Sequence, residues 1–116
     1  MSTYSVFAGG TLIGHSDLEL GDPPMGVALG KFRPTSAYST IRGACIAALA
    51  TGAWDKLELQ IRTSDGADVP AQGGVMILDA LEPAENEIEV QAAGIPYPLY
   101  AQLFAAHVLA YESRNA

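Results

Sequence analysis

His15, Ser16 and Asp17 stand side by side and supply the three residue types of a nucleophilic hydrolase. A working triad needs carboxylate, imidazole and hydroxyl to converge, whereas neighbours on an extended chain point to alternating faces. Adjacency therefore argues against a triad. The pattern Gly-x-Ser-x-Gly does not occur, and Gly9-Gly10 lacks the later glycines and the lysine of a phosphate loop. A hydroxyl without an oriented base is a poor nucleophile, so no catalytic residue is assigned.

Asp17, Glu19 and Asp22 follow His15 closely and offer hard oxygen ligands beside one imidazole, on a stretch expected to be a loop. Neither an EF-hand spacing nor a His-x-x-x-His pair accompanies them. Solvated loop charges are the simpler reading, and no metal or other cofactor is expected. The same residues support an enzyme-like alternative, with His15 as acid or base, Asp17 or Glu19 beside it, and the 16–26 loop closing a ligand pocket. Cys45 and His107 would form a Cys-His nucleophile pair if their helices lay side by side. Both fall on apolar stripes, which favours packing roles.

Charge is the other chemical signal. Asp79, Glu82, Glu85, Glu87 and Glu89 lie within eleven residues free of Lys and Arg. Such a run attracts a cation or a basic protein surface, or serves solubility alone. Asp22-Pro-Pro-Met25 reads as a rigid turn presenting a flexible apolar side chain, of the kind used at adaptable interfaces. The candidate binding residues are thus His15, Asp17, Glu19, Asp22, Met25, Glu85, Glu87 and Glu89.

The chain has 116 residues, 49% hydrophobic and 16% charged, with a net charge of −7. These values predict one folded domain over 1–116 with its own core. The acidic balance excludes non-specific attraction to nucleic acid or anionic lipid, which depends on Lys and Arg. A partner steered by charge would be a basic protein. Homo-oligomerisation through an open strand edge, at residues 4–8 or 27–32, is a further reading. The single cysteine leaves no internal disulfide and no zinc site of several thiolates. No apolar run approaches the ~20 residues that span a bilayer. The start has neither a basic n-region nor a long apolar h-region, so a cytoplasmic, soluble protein is expected.

The elements that would position these residues are legible as rhythm. Gly9-Gly10 predicts a hairpin of strands 4–8 and 11–15. The 16–26 stretch reads as an ordered loop, 27–32 as a strand with Gly30 as a weak point or bulge. Tyr38, Ile41, Cys45, Ala48 and Leu49 repeat at helical spacing between a Thr35 or Ser36 cap and Gly52. Leu57, Leu59 and Ile61 alternate with polar residues, as do Ile88, Val90 and Ala92, while 75–78 reads as a strand apolar on both faces. Ser64-Asp65-Gly66 marks a turn. A second helix begins near Pro98 and carries Leu99 or Tyr100, Leu103, Phe104, His107, Val108 and Tyr111 on one stripe. The predicted fold is α+β, an antiparallel sheet of five or six strands with two helices on one face. The predicted function is a protein-binding or regulatory module, inhibitor- or immunity-like, with a small enzyme or ligand-binding domain as the alternative.

Overall fold

Gly9 and Gly10 take φ of +54° and +84°, the pair of left-handed positions that a tight hairpin turn requires. They join β1 (Tyr4–Ala8) to β2 (Thr11–Ser16) in the computed structural model, which describes residues 3–79 and 87–114. The β1–β2 register pairs Val6 with Gly14 but Phe7 with Leu12, so Ile13 is an extra residue in β2. The bulge turns Ile13 into the core beside the buried Gly14.

The remaining strands are β3 (Leu20–Asp22), β4 (Val27–Lys31), β5 (Arg33–Pro34), β6 (Leu59–Arg62), β7 (Asp68–Val69), β8 (Gly74–Leu78) and β9 (Glu89–Ala93). The helices are α1 (Arg42–Thr51), α2 (Leu99–Leu103) and α3 (Ala105–Arg114). The fold is α+β, but its strands form two antiparallel sheets rather than the one predicted. Five strands run in the order β5-β2-β1-β6-β7 and four in the order β3-β4-β9-β8. An alternating pattern shows that one side of a strand is buried without showing what covers it. Here the two sheets cover each other: Val6, Ile61 and Val69 of the first share one core with Ala28, Ile77 and Val90 of the second.

The helices pack at opposite edges of one sheet and do not lie side by side across it. α1 packs on β8 and α3 on β3, the two outer strands of the four-stranded sheet. Both approach from the inner side. Asp79 continues the buried alternation of Val75 and Ile77 and accepts a hydrogen bond from Arg42 of α1. Gly21, paired with buried Ala28, leaves the space that Tyr100 and His107 fill, so a Cβ there would strike both.

Thr35 precedes a 3-10 turn (Ser36–Thr40), and α1 ends at Gly52, whose φ of +75° places its N–H on the carbonyl of Ala48. Tyr38, Cys45 and Ala48 form the buried stripe, as the spacing predicts. The second helix is broken at Phe104, where φ −124° and ψ 45° leave the helical region. The Phe104 ring lies 5.4 Å from Tyr4, 5.1 Å from Tyr100 and 5.1 Å from His107. The 16–26 stretch holds β3 as well as a 3-10 turn (Pro23–Met25), and Leu57 belongs to a 3-10 turn, not to a strand. Gly30 sits in regular register with Val90, without a bulge.

Candidate functional site

The ladders of the four-stranded sheet fix which side chains share its outer face. Leu20 pairs with Leu29, Leu29 with Gln91, and Gln91 with Met76, which makes one row across all four strands. A second row runs Lys31, Glu89, Leu78. At the opposite end Asp22 pairs with Val27, and Ala93 with Gly74. The alternate positions Ala28, Val75, Ile77, Val90 and Ala92 are in the core. Leu20, Val27, Leu29, Met76 and Leu78 therefore point away from it. Among the described residues none of them belongs to the core or is packed against it; Leu20 is 57% exposed and the other four are half-buried.

A sheet with one wet face normally shows polar residues there, and strands apolar on both sides belong where both sides are covered. The other sheet follows the rule more closely, although Phe7 and Leu12 form an apolar pair on its outer face. Its outward row carries Arg33, His15, Ser5, Arg62 and Asp68, and the guanidinium of Arg62 lies 4.5 Å over the Phe7 ring. The outer face of the four-stranded sheet breaks it. Its polar members sit mainly at the margins: Asp22 at one end, Lys31 and Glu89 at the other, with the exposed Glu87 two residues before Glu89 in the chain. Gln91 Nε2 donates to Glu89 Oε2 at 3.3 Å. Met25, 67% exposed, and Tyr97, 53% exposed, stand at the Asp22 end, where the Tyr97 hydroxyl donates to the carbonyl of Pro23 at 2.8 Å.

The residues named from sequence are dispersed. His15 lies on the outer face of the five-stranded sheet, between Ser5 and Arg33. Asp17 accepts hydrogen bonds from Thr3 Oγ1 and Arg33 Nη2, each at 3.1 Å. These bonds, Arg33 first, hold its carboxyl below the usual carboxylate range. Glu19 Oε2 accepts the backbone N–H of Lys31 at 3.0 Å, continuing the β3–β4 ladder beyond the end of β3. Asp17 and Glu19 border a cleft of about 350 Å³ against α3 together with His107; His15 does not line it. Asp22, Met25, Glu87 and Glu89 lie around the four-stranded sheet as described. Glu82 and Glu85 fall outside the described residues. Among the described residues no three His, Cys, Asp or Glu side chains are grouped to hold a metal.

Asp79 does not contribute to an outward acidic field, contrary to its reading from sequence. It is 2% exposed, and its Oδ2 accepts the Tyr38 hydroxyl at 2.8 Å and Arg42 Nε at 2.9 Å. Cys45 is buried nearby; burial raises its thiol pKa and the charge of Asp79 adds to the rise, while Tyr38 opposes it. His107 stands at the other edge of the sheet, so the two do not form a nucleophile pair. Its Nε2 lies 2.7 Å from the carbonyl of Leu18, which has no hydrogen to give, so Nε2–H is the donor. Leu18 holds a left-handed φ of +45°, with its N–H on Ser16 Oγ at 3.1 Å. The open edges considered for oligomerisation were 4–8 and 27–32; β1 and β4, which hold these runs up to Lys31, are both interior strands.

Leu29 and Met76, at the middle of the outer face, were not among the residues that sequence singled out. The signal for them was the doubly apolar run of β8 and its counterpart Val-Ala-Leu in β4. The chain matches no family model, no curated protein and no solved structure. Among the described residues no helix is long and apolar enough to cross a membrane.

Proposed function

We propose that the protein is a protein-binding module of regulatory character, inhibitor- or immunity-like, which receives a basic partner on the outer face of its four-stranded sheet. The observation that carries this reading is a sheet face with the side-chain chemistry of an interior, left uncovered by the helices and bounded mainly by carboxylates. Contiguous apolar surface rimmed by polar groups is a signature of protein contact. The enzyme-like alternative has less support: Asp17 and Glu19 are already engaged by protein donors, and His15 lies apart from the cleft they border.

The test compares wild-type protein with the Leu29→Asp, Met76→Asp double variant, both immobilised and exposed to the same cell extract. A basic protein retained by wild type at low salt, released by salt and lost from the variant, is the expected result. Circular dichroism and thermal melting must show the variant folded. Equal retention by the two forms would remove this reading.

A further inference from the structure

Resting on that docking reading, we infer that the occupant of the face is a single amphipathic helix with lysines or arginines beside its apolar stripe, not a second copy of this chain. The first argument is size. Four strands about 4.8 Å apart, with three outward positions about 6.6 Å apart along β4, β8 and β9 and two along β3, give a Cα grid of at most about 14 by 13 Å. One helix, about 10–12 Å across, fills that width. Joining two folded copies stably takes about 800 Å² of accessible surface from each, more than a face of these dimensions offers by itself.

The second argument is charge. Two carboxylates, of Asp22 and Glu89, stand at the margins against one ammonium, that of Lys31, and the exposed Glu87 precedes Glu89 by two residues. The whole chain carries −7, so a second copy approaches against like charge. A basic segment approaches with it, and its cations reach the marginal carboxylates while its apolar stripe meets Leu29 and Met76. The third argument is composition. Leu20, Leu29, Met76 and Leu78 are unbranched at Cβ, and such side chains re-pack around the ridges of an inserted helix more readily than valine or isoleucine do. Helix-in-groove recognition uses apolar anchors at this kind of surface.

The experiment titrates the full ¹⁵N-labelled chain with three synthetic peptides of about 14 residues, a helix of about 21 Å. One has a leucine stripe flanked by lysines, one has glutamates in place of those lysines, and one is a scramble of the first without a stripe. The lysine peptide is expected to move the amide signals of Leu29, Met76 and Gln91. The glutamate peptide should bind at least about fivefold more weakly, the scale of a few marginal ion pairs at low salt. The scramble should leave those signals in place. The inference is overturned if acidic and basic peptides bind the face equally, if no peptide moves those amides, or if rising protein concentration alone protects them through self-association. Any of these leaves the docking reading standing as long as the Leu29→Asp, Met76→Asp variant still loses the retained partner. That reading falls only when the loss is absent.

Discussion

Two side chains that looked chemical in the sequence, Asp17 and His107, hold backbone and strand ends in place. Asp17 is bound by Arg33 and Thr3, and its folded pKa lies below the ordinary value of 3.8. A carboxylate depressed on folding adds stability above its unfolded pKa, about 3.9, and loses it as pH falls through the folded value. Asp17→Asn is therefore expected to melt below wild type at pH 7, with the gap closing in acid; melts that coincide at pH 7 would contradict this role. His107 holds the left-handed Leu18 from its carbonyl side while Ser16 holds it from the amide side. Removing that donor in His107→Ala is expected to cost about 1–3 kcal/mol. Amide hydrogen exchange should quicken at residues 18–22 and stay unchanged in α1. The sequence already favoured packing roles for Cys45 and His107, because both fell on apolar stripes. It misjudged Asp79, since a run of acids does not show which one turns inward to meet Tyr38 and Arg42.

Among the elements, what could be read from the sequence was whatever local chemistry determines. Gly9-Gly10 set the hairpin, Ser64-Asp65-Gly66 the turn between β6 and β7, and the Tyr38–Cys45–Ala48 stripe the buried side of the 3-10 turn and of α1. β3 and β7 escaped because three and two residues are too few to show a period. The break at Phe104 escaped because its cause is tertiary: the ring settles among Tyr4, Tyr100 and His107. Gly30 was read as a weak point, yet its missing side chain is what lets Glu19 reach the β4 backbone. A methyl group there would collide with the Glu19 carboxylate and lie 2.9 Å from Leu18 Cα. Gly30→Ala should lose about 1–3 kcal/mol of stability, as overpacked sites do. Adding Glu19→Ala should return part of it in a double-mutant cycle, and strict additivity would show that the two sites are not coupled. The α2–β4 contact titrates at the opposite extreme. Tyr100 donates its hydroxyl to the carbonyl of Val27 at 2.7 Å, and burial pushes its pKa up to about 12. A phenol raised on folding stabilises fully below its unfolded pKa, about 10, and loses that contribution as pH rises toward the folded value. Chemical denaturation between pH 8 and about 11 should thus show stability falling as pH rises, and Tyr100→Phe should lessen the part of that fall above about pH 10, the rest belonging to Cys45, Tyr4 and Tyr38, whose pKa values burial also raises.

For the whole molecule, the pattern that mattered was the one the sequence could state but not interpret. Residues 75–78 read as apolar on both faces, and β8 is so; but a linear pattern does not say whether the second face meets a helix, a sheet or a partner. With two sheets closing one core and the helices set at opposite edges, the outer face of β3-β4-β9-β8 is left over. On the proposed docking reading, net charge and the marginal carboxylates favour a basic partner there. Leu29 and Met76 are half-buried and lie outside the core cluster, so Leu29→Asp and Met76→Asp should each cost only about 1 kcal/mol, the scale of strand propensity and of one cross-strand pair. A loss of several kcal/mol would show that the face serves the fold and not a partner. The chain has three methionines, and one of them, Met76, lies in the middle row of that face. Its ¹³C-methyl signal, followed while the retained basic protein is added, is the most direct probe. The Met76 methyl is expected to shift or broaden in step with complex formation; a complex that forms while that signal stays unmoved would contradict the account.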